Sequence, residues 1–407
     1  MPAQRHPEIW YHNGYAGDVR HDDFEGRSAS VGPTKMPHVF EALVQSQALP
    51  PGALHTDVRP IDLARLRRVH GDRYLHALLT GEPREIACGQ GLPRWSPEIA
   101  RGWLLNCGGL WQAACAAIAS GGFTCNLAHG YHHAGLDVAR DFCTINALVV
   151  VADALIREKR ARKVLIVDLD EHEGNGTGEL VIGKAPIFNL TIFGRAMDGP
   201  PAAGNHLPVF VDHAARASGR PRDLGYLAEI ARWLPAVIRR HDPDLILYQA
   251  GVDPFDCSGI SPEALAVRDA YVFALARTLE RPLCWVLAGG YSPLEILVPQ
   301  HITTIEQAIR VRAQMSDETE LVLERREHRD DIYFWRVAGG AARFADWPTL
   351  AGSAPPRRPP QLSPAAARAY ESRRVQALAA QRLPDDVLEA AYRALFAEAC
   401  VGAGEAV

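Results

Sequence analysis

Strand and helix patterns alternate along this 407-residue chain, which predicts an α/β fold with a central, mostly parallel sheet flanked by helices. Two observations carry that expectation. Four short runs, VLIVDL (164–169), IFNLTI (187–192), LILYQA (245–250) and LCWVLA (283–288), are apolar on both faces, as strands covered by helices on either side must be. Around them, residues 108–120, 146–160, 225–240 and 262–279 carry apolar side chains at helical spacing.

Taken in order, FTCNLA (123–128) reads as a strand that runs into the loop GYHHAG, and 146–160 as the helix that follows. Residues 225–240 place Leu227, Ile230, Leu234 and Val237 on one helical face. Ser261-Pro262 supplies a helix start for 262–279, a serine to cap the first turn and a proline where its missing N–H costs nothing. After about residue 312 the alternation stops. A charged stretch, ETELVLERREHRDD, the proline-rich APPRRPPQLSP (354–364) and an alanine-rich amphipathic pattern follow. The expected organisation is therefore a catalytic-type domain over 1–312 and a C-terminal extension over 313–407, with a proline-rich linker and a helix outside the core.

Composition removes several classes of function. The chain is 47% apolar and 22% charged with a formal net charge of −5, and no dense Lys/Arg run gives the concentrated basic face that a phosphate backbone requires. No direct nucleic-acid partner is expected. The first residues, MPAQRHPEIW, lack the apolar core of a signal peptide, and the longest apolar run, around 145–156, is broken by Asp153, so a cytoplasmic protein without a membrane span is expected. Eight cysteines without a CxxC pair read as reduced core residues.

Ionisable side chains collect where the apolar runs end, the ends at which α/β sheets bind ligands. In KVLIVDLDEHEGNGTG, Asp168, Asp170 and His172 occupy every second position, so they point the same way as the strand runs out. Carboxylates buried without partners cost several kcal/mol each, on the order of a fold's whole margin, so a cation or hydrogen-bond donors must meet them. A metal ion does this directly; a helix N-terminus or an arginine does it without one. The loop AHGYHHAGLDVARDFCTIN holds His132 and His133 side by side, an acid/base pair or a loop accident. LYQAGVDPFDCSG ends another strand with Asp253 and Asp256, and VLAGGYSPLE ends a fourth with Gly289, Gly290 and Tyr291. Four strand ends that carry a His pair, an Asp-x-His, a further Asp and a Tyr form a far more specific set than any one of them.

These segments, in this order, resemble the histone deacetylase family of zinc amidohydrolases with the three-layer arginase/deacetylase fold, over about residues 30–310. The stretch LPRWSPEIARGWLLNCGGLWQAACAAIASGGFTCNLAHGYHHA, and HEGNGT where HHGDGT is commoner, are most similar to the class IV branch and its bacterial relatives.

The resemblance implies Zn2+ held by Asp170, His172 and a third ligand from the 253–256 segment. The chain is about five residues shorter there than its relatives, and Asp256, which lies within the loop as the family's ligand does, is favoured over Asp253, which ends the strand. It also implies that His132 and His133 are the acid/base pair, that Tyr291 polarises the carbonyl, and that Asp168 and Asn175 orient the two histidines. Asn175 stands where many members carry an aspartate. Phe142 matches a wall of the acyl-lysine tunnel, with Gly289 and Gly290 alongside, whereas Asp141 replaces the glycine usual before that phenylalanine. Asp168, Asp170, Thr191 and Ile192 fall where the family binds a structural potassium ion, K+.

The activity implied is hydrolysis of N-acyl-lysine in protein, including long acyl chains, with small acylated amines or polyamines as the alternative substrates. A silent acyl-lysine-binding scaffold is the competing class, and the retention of His132, His133, Asp170, His172 and Tyr291 together argues against it. A binuclear ureohydrolase of the same fold would need further carboxylates and histidines that these strand ends do not supply.

Overall fold

In a computed structural model, residues 6–19, 32–212, 222–314, 321–325, 333–337 and 362–397 are described. Eight strands form one sheet: β1 (Glu8–Trp10), β2 (Leu54–His55), β3 (Phe123–Asn126), β4 (Val164–Asp168), β5 (Ile187–Phe193), β6 (His206–Phe210), β7 (Leu245–Ala250) and β8 (Leu283–Leu287). Their order is β2-β1-β3-β8-β7-β4-β5-β6, and every pairing is parallel. The four apolar runs become the central strands, with β4, β7 and β8 buried along their whole length. Parallel strands need crossover connections, and the helices that supply them cover the sheet.

Helices Pro97–Ser120 and Ala147–Arg157 pack on each other and on β1, β3, β4 and β8; Arg222–His241, Pro262–Thr278, Leu294–Gln314 and Met36–Ser46 pack in a second series. Sequence periodicity located only the second half of the first helix. It opens at Ser96, whose hydroxyl accepts the N–H of Ile99 at 3.1 Å. The paired Gly108-Gly109 in its middle hides the continuity, and Gly108 has a packing reason: a Cβ there would lie 1.8 Å from the carbonyl oxygen of Arg59. Ser261 caps its helix as expected, accepting the N–H of Ala264 at 3.1 Å.

The C-terminal region differs from an extension outside the core. Two helices, Pro364–Ala380 and Asp385–Ala397, lie against the body. Arg374 donates to the carbonyls of Leu180 and Ile182 at 2.8 and 2.9 Å, Tyr392 donates its hydroxyl to Ile61 O at 2.7 Å, and Leu388 and Leu395 are buried. Within the charged stretch, Leu321–Arg325 pairs antiparallel with Tyr333–Val337. Most of the proline-rich linker, 354–361, lies outside the described residues.

Cys107, Cys125, Cys143 and Cys284 are buried thiols, and no disulfide forms among the described residues. No described helix is long and apolar enough to cross a membrane.

Candidate active site

The carboxyl ends of β3, β4, β7 and β8 converge. Because β4 lies between β5 and β7, Asp168 sits in register with Thr191 on one side and Gln249 on the other. All three are fully buried. Ile192 follows Thr191 along β5, also buried. Thr191 Oγ1 accepts the N–H of Gly174 at 3.4 Å, so the loop after β4 is tied back over its neighbour.

His132 and His133, both nearly fully buried, pack with ring centroids 3.9 Å apart and planes tilted by 47°. Nδ1 of His132 is 2.8 Å from Asp168 Oδ2, and Nδ1 of His133 is 2.9 Å from Asn175 Oδ1. The amide of Asn175 is oriented by its own Nδ2, which donates to Met197 O at 2.9 Å. The oxygen therefore faces His133, whose Nδ1 must carry the proton and whose Nε2 keeps its lone pair. The two rings then differ electrostatically. Burial opposes charge on His132, but Asp168 and Asp170 outweigh it and push its pKa up to about 9. Burial, reinforced by His132, holds His133 well below the ordinary histidine value. The two rings are thus biased in opposite directions, His132 toward the charged form and His133 toward the free base.

Asp170, His172 and Asp253 each offer a ligand atom within 4.8 Å of the others. His172 Nδ1 lies 2.9 Å from Asp253 Oδ2 and 3.4 Å from Asp170 Oδ1. The carboxylates are held by main-chain donors: Gly289 N–H reaches Asp170 Oδ2 at 2.9 Å, and Glu171 N–H reaches Asp253 Oδ1 at 3.0 Å. Gly289 has to be glycine, since a Cβ there would fall 2.3 Å from Asp253 Oδ2. Two buried carboxylates facing one imidazole call for positive charge. Burial and Asp170 raise Asp253 to about 6, while against burial the two carboxylates push His172 up to about 10. A divalent cation satisfies that demand without a proton, and two oxygens with one nitrogen are a donor set that zinc accepts.

Asp256, favoured from the sequence, is not in this group. The strand ends at Ala250 and a short helix starts at Asp253 itself, Asp253–Ser258, so that Asp253 stays at the strand end while Asp256 is carried one turn on. There it accepts the N–H of Tyr291 at 2.7 Å and the hydroxyl of Ser292. It braces the Gly289-Gly290-Tyr291 turn. Tyr291 in turn presents its ring edge-on to His172, centroids 6.0 Å apart, with burial and then Asp253 holding its phenol protonated.

A cavity of about 540 Å³ opens over these groups, lined by His133, His172 and Tyr291 together with Phe142 and Met197. Its exposed lining residues, Asp141, Arg195 and Ala196, mark the mouth. Asp141 and Phe142 form the two central positions of a tight turn closed by Cys143 N–H to Arg140 O at 2.7 Å, with φ of 44° and 66°. Both therefore adopt the left-handed conformation of a type I′ turn, which suits Asp and is strained for Phe.

Three members of the site were not anticipated. Arg195 and Met197 line the cavity from the loop after β5. Lys35 is buried beneath the site, donating to Ala288 O, with burial lowering its pKa to about 8 against the pull of Asp253 and Asp170. Nothing in local sequence marks Lys35 beyond its being one of four lysines in the chain.

A parallel α/β sheet whose strand ends gather two oppositely biased histidines, a cation-demanding trio and a phenol defines a hydrolase of the amidohydrolase type. The histone deacetylase domain matches residues 30–305, and the chain belongs to the histone deacetylase family. It is 28% identical over 280 residues to the acetylpolyamine amidohydrolase of Mycoplana ramosa, covering 58% of this chain and 80% of that one. It is 25% identical over 247 residues to histone deacetylase 2 of Arabidopsis thaliana, covering 58% and 63%. The acetylpolyamine aminohydrolase of Burkholderia pseudomallei superposes with a TM-score of 0.56 at 17% identity, over 75% of this chain and 98% of that one, a likeness of fold alone.

Proposed function

We propose that the chain hydrolyses the amide bond of an Nε-acyl-lysine with one zinc ion held by Asp170, His172 and Asp253. The observation that carries this reading is the placement of that trio under the same cavity as His133 and Tyr291. When bound, zinc supplies Lewis acidity toward the acyl carbonyl and the attacking water.

The chain's own groups do the rest. His133, neutral and with Nε2 unprotonated, takes a proton from water as the water oxygen bonds to the carbonyl carbon. The Tyr291 hydroxyl donates to the oxygen on which negative charge develops. His132, biased toward its charged form by Asp168, stabilises that charge. As the C–N bond breaks, His133 returns its proton to the departing nitrogen, leaving a carboxylate and an amine. Phe142 and Met197 line the passage for the aliphatic stem of the substrate. Asp168, Asp170, Thr191 and Ile192 would hold a potassium ion mainly through main-chain carbonyls, a structural role. The HEGNGT turn supports a place near the class IV branch.

The test is metal content together with turnover of acyl-lysine peptides of graded acyl length. About one zinc per chain, and activity abolished by chelation and restored by zinc, are expected. A chain that hydrolyses acyl-lysine with its transition metal stripped would refute the reading.

A further inference from the structure

The mouth of the cavity carries one anionic and one cationic side chain, Asp141 and Arg195, each on a main chain held by hydrogen bonds. Asp141 is exposed, and its carboxylate has no hydrogen bond or ion pair among the described residues. Its backbone is nevertheless immobilised on both sides: Phe142 N–H donates to Gln90 O at 3.0 Å, and Arg140 and Cys143 close the turn around it. Asp141 therefore offers a carboxylate without a partner among the described residues, on a main chain held in place beside the cavity.

Arg195 stands at the same mouth and is anchored just as firmly. Its N–H donates to Glu171 O and its carbonyl accepts the N–H of Glu173, both at 2.9 Å, so its main chain is bonded to the loop that carries His172. Among the described residues its guanidinium makes a single long contact, Nη2 to Cys257 O at 3.4 Å, which leaves most of its donors for another group. Asp141 and Arg195 do not pair with each other within 4.0 Å, although both face the same cavity of about 540 Å³. That volume suits a small molecule.

Resting on the acyl-lysine reading, we propose that Asp141 and Arg195 select a free Nε-acyl diamino acid, Asp141 receiving its α-ammonium and Arg195 its α-carboxylate. A lysine within a peptide has neither charge, since both α-groups are in amide bonds. A polyamine tail would gain Asp141 but meet Arg195 with like charge. Only a zwitterionic end complements both groups at once. The reaction is plain hydrolysis: water adds across the side-chain amide, the acyl group leaves as a carboxylate, and the freed diamino acid takes the proton.

The test uses the full chain purified with its metal and four substrates: free Nε-acetyl-lysine, its Nα-acetyl derivative, its α-carboxamide, and the doubly capped compound. Capping either α-group should lower kcat/KM about tenfold, the usual scale for a hydrogen bond to a charged group. In Asp141→Asn the free-to-capped ratio for the amine should collapse toward one while the carboxylate ratio persists. In Arg195→Gln the pattern should reverse. A wild-type preference for the doubly capped compound, or variants whose ratios match the wild type, would overturn this inference and leave the acyl-lysine reading standing. Hydrolysis of none of the four, beside turnover of the acyl-lysine peptides, would overturn this inference alone; failure of those peptides as well, at every acyl length, would overturn both.

Discussion

Oδ2 of Asp253 stands 2.9 Å from Nδ1 of His172, across the gap between β7 and β4. That contact closes the trio with Asp170, and it assigns different work to two aspartates three residues apart. Asp253 is fully buried and faces positive charge, whereas Asp256 accepts from the main chain of Tyr291.

Asp253→Ala should therefore release zinc and abolish turnover, because two ligands do not retain the ion. Asp256→Ala should keep zinc and lower kcat, since the turn that aims Tyr291 loses its acceptor. Metal analysis of the two purified variants decides it. Zinc lost from the Asp256 variant and kept in the Asp253 variant would return the ligand to Asp256.

The reason the sequence pointed to Asp256 is physical. A GVDPFD segment looks the same whether Asp253 ends a strand or starts a helix, and only tertiary contact shows that the helix begins on it. The central strands were legible because burial on both faces leaves a continuous apolar run. β1 and β2, of three and two residues, are too short to show a period, and Pro208 disguises β6, a strand it can enter only at a sheet edge. His132, His133, Asp168 and Asn175 were named through resemblance; Nδ1 of His132 lies 2.8 Å from Asp168 and Nδ1 of His133 2.9 Å from Asn175. The docking of the C-terminal helices was not, since Arg374 and Tyr392 bond to carbonyls some two to three hundred positions away.

Tyr291→Phe removes only a hydroxyl from a ring held beside His172. It should retain zinc and lose about two or more orders of magnitude in kcat, the scale of one oxyanion donor. Turnover close to wild type would take the phenol out of the mechanism.

Asn175→Asp replaces the neutral acceptor 2.9 Å from His133 by a charged one. Negative charge favours the imidazolium, so the pKa of His133 should rise, by about one unit or more. A base must be neutral to act, and the acid limb of kcat/KM against pH should move upward by the same amount. An unmoved limb would mean that His133 is not the base.

Stability should fall with acid in a window set by buried histidines. His70 and His206 are fully buried, and desolvation lowers both to about 4 from the usual 6.5. Between those values the unfolded chain takes up protons that the folded rings refuse, so stability is lost as pH drops from 6.5 toward 4. The scale is about 1.4 kcal/mol per pH unit for each ring. Nε2 of His70 accepts the N–H of Asn146 at 3.1 Å, a bond that protonation there destroys. Denaturant melts from pH 7 to 4.5 should show the decline, and His206→Gln should reduce its slope. A flat profile in both proteins would contradict the linkage.

The C-terminal helices should contribute to the stability of the body. Leu388 is fully buried, and around it Tyr392 reaches Ile61 O, Arg67 pairs with Asp385 at 2.6 Å, and Leu383 N–H donates to Asp72 at 2.9 Å. Gln381 also donates to Asp137 at 2.9 Å, on the loop that leads from His133 to Phe142. Truncating a buried leucine removes its transfer free energy and leaves a cavity, together about 2–5 kcal/mol. Leu388→Ala should lower the urea midpoint accordingly, in a single transition shared by the body. If the helices were an appended unit, the same change would leave the main transition in place and alter only a separate, minor one.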